Sequence, residues 1–196
     1  MENITVLFPG AFKPMHAGHI DLINRYSVDP SVNEIKILVG PSPRGDIDQA
    51  VAVCIAQNLL SDLVLLSGKT INIKAVDETS PMTTAYKFIE KAIPGTYCLA
   101  ASSKEEENTQ RIKRFVFGHN TGKYPMPSGV KIIEMPVDTN PLLYTERLDE
   151  YNGKPISATV LRQDISTNDF ENFKTNYPGF DIDTIITVWN LLRYGG

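Results

Sequence analysis

A parallel α/β domain is the fold class this chain predicts, and three observations carry the prediction. Apolar β-type runs alternate with helix-period patterns along most of the sequence. A Gly- and Pro-containing segment from Phe8 to His19 joins the first such run directly to the first helical pattern. The length, 196 residues, suffices for one α/β core and is short for two.

The elements follow in order. Ile4, Val6, Leu7 and Phe8 predict a strand near 3–8, and Ile20, Leu22 and Ile23 predict a helix over 17–26. Further strands are expected near 34–39, 71–76, 96–101 and 130–135, and helices over 46–65, 81–93, near 105–115 and from 158. Such alternation places helices on both faces of a parallel sheet, and ligands then bind beyond the carboxyl ends of the strands, where the strand order reverses. Residues 116–128 are rich in Gly and Pro and predict a long loop, in which His119 is incidental. The stretch 136–155, with Pro136, Pro141 and Pro155, predicts a second irregular excursion. Ile182, Ile185, Ile186, Trp189 and Leu192 stand at helical spacing and predict a helix over 181–193 packed on the domain, with an oligomer contact as the other reading. The chain is thus read as one domain, 1–196, with a C-terminal helical segment at about 166–196.

Bulk properties narrow the function classes. A net charge of -4 argues against general nucleic-acid binding and against an anionic membrane surface. Cys54 and Cys98 lie far apart in apolar stretches and are expected to be reduced core residues of a cytoplasmic protein. Apolar runs stay short of transmembrane length, and the His, Cys and carboxylate spacing marks no dedicated metal cage.

The informative segment is Gly10-x-Phe12-x-Pro14-x-His16-x-Gly18-His19. It reads as a strand, a turn and a helix start, and a helix N-terminus offers free N–H groups and partial positive charge to phosphate. His16 and His19 are three apart, so both rings fall on one face. Gly10 and Gly18 permit close backbone approach, Pro14 stiffens the turn, and Pro9 and Ala11 complete it. A second segment, Ile156-Ser157-Ala158-Thr159-Val160-Leu161-Arg162, opens a late helix. Ser157 is a plausible N-cap, Thr159 adds a first-turn hydroxyl, and Arg162 brings a planar fork for phosphate oxygens.

These two segments, in this order, closely resemble the H-x-G-H and I/S-S-x-T-x-x-R signatures of the nucleotidylyltransferase superfamily. The resemblance implies a Rossmann-like sheet of order 3-2-1-4-5 and a reaction in which an acceptor phosphate attacks the α-phosphorus of a nucleoside triphosphate and pyrophosphate leaves. It also implies roles. His19 donates to the α-phosphate, His16 contacts the triphosphate, and Lys13 is a flexible cation reaching phosphate from the turn. Ser157, Thr159 and Arg162 hold the β- and γ-phosphates, while Pro9, Gly10, Ala11, Phe12 and Gly18 shape the nucleotide loop. Mg²⁺ is expected as a bridge between phosphates. Arg44, after the second strand, matches where relatives place a basic acceptor-binding residue. The cluster Arg111, Lys113 and Arg114 is either a solvated helix face or an acceptor contact.

Local residues bear on the substrates. Phe12, Pro14 and His16 look more like the nicotinamide-nucleotide adenylyltransferases than like the cytidylyl or phosphopantetheine branches, so ATP is favoured over CTP. The sequence departs from that branch at Ala100-Ala101-Ser102-Ser103-Lys104-Glu105, where a G-x-D element is usual. Two other readings stay open: a cytidylyltransferase for a phosphorylated alcohol or sugar, and a catalytically idle nucleotide-binding or assembly domain.

Overall fold

The computed structural model describes residues 3–77, 80–101, 106–137 and 156–195. Five parallel strands form one sheet: β1 (Ile4–Gly10), β2 (Val32–Val39), β3 (Thr70–Ala75), β4 (Gly95–Leu99) and β5 (Val130–Ile133). Their order is β3-β2-β1-β4-β5, the Rossmann-like arrangement. Strand β1 is central, with Phe8 opposite Ile37 of β2 and Val6 opposite Cys98 of β4. The chain runs from β1 outward through β2 to β3 and then returns to β4, so the order reverses between β1 and β4. The switch point falls at the carboxyl end of β1.

Helices cover both faces, as side-chain alternation on β1 requires. Val6 and Phe8 face α1 (Ala17–Val28), α2 (Gln49–Ser67), α5 (Ala158–Thr167), α6 (Phe170–Thr175) and α7 (Ile182–Tyr194), whose Ile23, Ile55, Leu161, Phe173 and Trp189 share one core. Leu7 faces the other way, into a second core with Ala85 and Ile89 of α3 (Pro81–Glu90) and Ile112 and Phe115 of α4 (Glu106–Asn120). Among the described residues no helix is long and apolar enough to cross a membrane.

Several expectations need correction. The loop expected over 116–128 begins only after Asn120, because α4 continues through Val116–Asn120. Gly118 does not break it. A Cβ there would lie 2.5 Å from the Tyr124 ring, so the glycine is the price of seating that tyrosine on the helix. His119 is not an incidental loop residue but a buried side chain of α4, stacked on Tyr86 at 5.5 Å and edge-on to Phe115. Cys98 is buried as expected and its thiol is pushed up to about 12 by desolvation, whereas Cys54 is exposed. Cys54 lies on the outer stripe of α2 with Ala50, Gln57, Asn58 and Ser61, a stripe the surrounding apolar run obscures. The short helix α6 lies within the helical segment expected at about 166–196; Asp169 starts it by accepting from the Asn172 N–H at 3.0 Å. Ser102–Glu105, including Lys104, and most of the 136–155 excursion lie outside the described residues.

Candidate functional site

Strand β1 ends in a loop whose shape its own residues dictate. A Cβ on Gly10 would lie 2.5 Å from the Phe12 ring, so only glycine leaves that ring its place. Phe12 takes a left-handed backbone (φ 51), a costly conformation for a bulky residue. Burial holds it there: the ring is 2 % exposed and packs edge-on at 5.1 Å to both Phe8 and His19. Such strain concentrates where backbone geometry serves a ligand. The Gly10 carbonyl accepts from the Gly40 N–H at 3.0 Å, fastening the ends of β1 and β2 together.

The two histidines converge, though not both inside the helix. His16 is the N-cap of α1, in extended backbone, and His19 is the third helical residue. The His16 N–H donates to His19 Nδ1 at 3.3 Å, and the ring centroids are 3.8 Å apart. With Nδ1 accepting, His19 carries its ring proton on Nε2 as a neutral donor. Gly18 completes the pattern: a Cβ there would lie 3.2 Å from His16 Cε1, so the glycine makes room for that ring.

Burial keeps both imidazoles neutral. Desolvation lowers His16 to about 4, and it also holds His19 well below its ordinary value, with a smaller contribution from His16 itself. The unfolded chain protonates each near the ordinary value of about 6.5. Below that pH the unfolded state therefore binds more protons, and stability falls as the pH drops from 6.5 towards 4. Each histidine contributes at most about 1.4 kcal/mol per pH unit within that window, and nothing above it. Buried His119, lowered by desolvation, acts in the same direction. Denaturant melts at pH 7, 6 and 5 are expected to show this decline, with a shallower slope in His16→Gln; a flat profile would refute the neutral pair.

Helix α5 meets this loop from the other end of the sequence. Ser157 caps it, its Oγ accepting from the Val160 N–H at 3.2 Å. Arg162 donates from Nη1 to the Lys13 carbonyl at 2.6 Å and from Nη2 to Thr159 Oγ1 at 3.1 Å. Among the described residues these bonds engage two of its five N–H groups. A cavity of about 320 Å³ opens beside it, lined by Pro14, Ile47, Leu161, Ile165 and Leu192 with Asp46 at its edge.

Lys13 departs from expectation. It is 1 % exposed rather than a flexible cation, and Nζ donates to the Ser42 carbonyl in the β2–α2 connection. Burial lowers its pKa, against the opposing effect of Asp48. Arg44 lies in the same connection, close enough to lower Lys13 further, and the neighbouring Gly45 abuts the Arg162 stem. The structure therefore brings Lys13, His16, His19, Arg44, Thr159 and Arg162 around one loop. Arg111 and Arg114 stand exposed on α4, on the other face of the sheet from α1 and α5.

Two supports escaped the sequence reading. The buried Tyr177 hydroxyl donates to the Met15 carbonyl at 2.8 Å, so the segment after α6 braces the loop. Gln49 Nε2 donates to the carbonyls of Val39 and Val76 at 2.7 and 2.8 Å, spanning the ends of β2 and β3. Neither residue has a spacing signal, because each acts on a carbonyl remote in sequence.

Among the described residues no three His, Cys, Asp or Glu side chains converge to hold a metal ion.

No protein-family model and no curated protein sequence matches this chain. Solved structures similar to it include the nicotinic acid mononucleotide adenylyltransferase of Plasmodium falciparum, complexed with APC (16% identity, TM-score 0.47) and with NaAD (16% identity, TM-score 0.46). Each alignment covers 99% of this chain and 98% of the other.

Proposed function

We propose that the protein is a nucleotidylyltransferase that moves a nucleotidyl group, adenylyl from ATP, onto a phosphate-bearing acceptor such as nicotinamide mononucleotide and releases pyrophosphate. The observation that carries this reading is the neutral His16–His19 pair at the start of α1, its tilted rings 3.8 Å apart, with Arg162 bound to the Lys13 carbonyl of the same loop. Neutral donors and a guanidinium suit a reaction whose negative charge shifts among phosphate oxygens. The motif resemblance supports the same reaction class.

The proposed roles are those the motif resemblance implies. His19 Nε2–H donates to the α-phosphate as charge builds there, and His16 contacts the same triphosphate. Thr159 and Arg162 hold the β- and γ-phosphates and then the departing pyrophosphate. Ser157 starts the helix that presents them. Pro9, Gly10, Ala11, Phe12 and Gly18 let the backbone approach the nucleotide, and Arg44 meets the acceptor phosphate. Mg²⁺ enters as part of the nucleotide substrate.

Thermal unfolding with Mg²⁺ and ATP, CTP, GTP or UTP tests the reading. A ligand at one hundred times its Kd adds about 2.7 kcal/mol, a clear midpoint shift. A selective ATP shift, followed by pyrophosphate release with nicotinamide mononucleotide, is expected. A selective CTP shift would instead favour a cytidylyltransferase. Binding without pyrophosphate release from any acceptor would favour an idle nucleotide-binding domain, and no shift with any nucleotide would overturn the proposal.

A further inference from the structure

Lys13 occupies a junction between three parts of the chain. Its carbonyl takes Arg162 from α5, its amine takes the Ser42 carbonyl from the β2–α2 connection, and its own backbone belongs to the loop after β1. At 1 % exposure the side chain lies under the loop rather than over its open face. Reaching a phosphate would require the amine to leave both its carbonyl partner and its buried position.

What the amine holds is the strand end that leads into Arg44. From Ser42 the chain enters a tight turn closed by reciprocal backbone bonds between Arg44 and Ile47, at 3.2 and 3.4 Å. Ile47 is buried in the main core, and Asp48 caps α2 by accepting from the Val51 N–H at 2.8 Å. The far side of the turn is therefore fixed by packing and capping, and its near side is held by Lys13. Arg44 itself is exposed at the turn and makes its charge felt at Lys13.

We propose that Lys13 is a positioning residue, which sets Arg44 against the acceptor phosphate and is not itself a phosphate ligand. The inference rests on the transfer reaction proposed above. It ties the acceptor side to the nucleotide side through one residue, whose amine holds the connection before Arg44 and whose carbonyl receives Arg162.

A double-mutant cycle decides between positioning and direct contact. Wild type, Lys13→Met, Arg44→Ala and the double variant are compared with ATP and nicotinamide mononucleotide, measuring acceptor KM, kcat and the ATP-induced midpoint shift. Each single change is expected to raise acceptor KM about tenfold, as loss of one charge-assisted contact does, while the ATP shift persists. The double variant should match Arg44→Ala, because Lys13 acts only through Arg44. An acceptor KM raised about a hundredfold in the double variant, the product of two independent effects, would overturn the proposal. So would loss of the ATP shift in Lys13→Met with acceptor KM unchanged. If Lys13→Met does not fold, Lys13→Gln enters the same cycle. Wild type that turns over nicotinamide mononucleotide, with acceptor KM unchanged in Lys13→Met, defeats this inference alone; wild type with no shift for any nucleotide defeats the transfer reading as well.

Discussion

Replacing His19 with alanine is expected to lower turnover by about two to three orders of magnitude, the usual loss when one preorganised donor to a developing oxyanion is removed. The side chain does two things at once. Its Nδ1 accepts the His16 N–H, which fixes the ring and leaves the proton on Nε2. Its ring also packs edge-on against Phe12, keeping that residue in its left-handed conformation. The first loss removes a helix-cap contact worth about 1 kcal/mol, so a modest drop in the unfolding midpoint should accompany the loss of rate. Steady-state pyrophosphate release measures the effect. His19→Asn, which can still accept the capping N–H, should recover stability more than rate. Turnover equal to wild type in His19→Ala would remove the histidine from the mechanism.

Arg162→Lys is expected to weaken nucleoside triphosphate binding by at least about tenfold, although the formal charge is kept. The guanidinium spans the Lys13 carbonyl and Thr159 Oγ1. An ammonium cannot span both partners and also hold a phosphate in a fixed plane. Lost charge-assisted bonds of about 1.5–3 kcal/mol each set the scale. Titration calorimetry with ATP reads the affinity directly. Wild-type affinity in the lysine variant would show that the fork geometry is dispensable.

Much of the fold was legible because the signals are local. Alternation along β1, the capping serine before α5 and the order of strands and helices all follow from short-range pattern, and the strand order is the one the motif resemblance implies. The two segments of the candidate site stood out for the same reason, but Gly10 and Gly18 read as room for a close backbone approach, whereas each makes room for a ring two residues away, Phe12 and His16. What failed was decided by distant partners. Gly118 reads as a helix breaker until Tyr124 is seen lying against it. Lys13 reads as a solvent-reaching cation until Ser42, 29 residues on, takes its amine. Cys54 sits in an apolar run, and only the packing of α2 reveals which stripe faces water. The bracing role of Tyr177 depends on a carbonyl 162 residues away, beyond any local pattern.

That last separation has a consequence for how the site comes into being. The loop after β1 is translated well before two of its fasteners: Arg162 and Tyr177 are written 149 and 162 residues after the residues they hold. Contacts of such reach close only after the intervening chain has been ordered. A nascent chain can thus make its first strands and helices and carry the whole histidine motif without yet holding it in working shape. The motif is made well before the residues that fasten it, so the chemistry waits for the fold to close on itself.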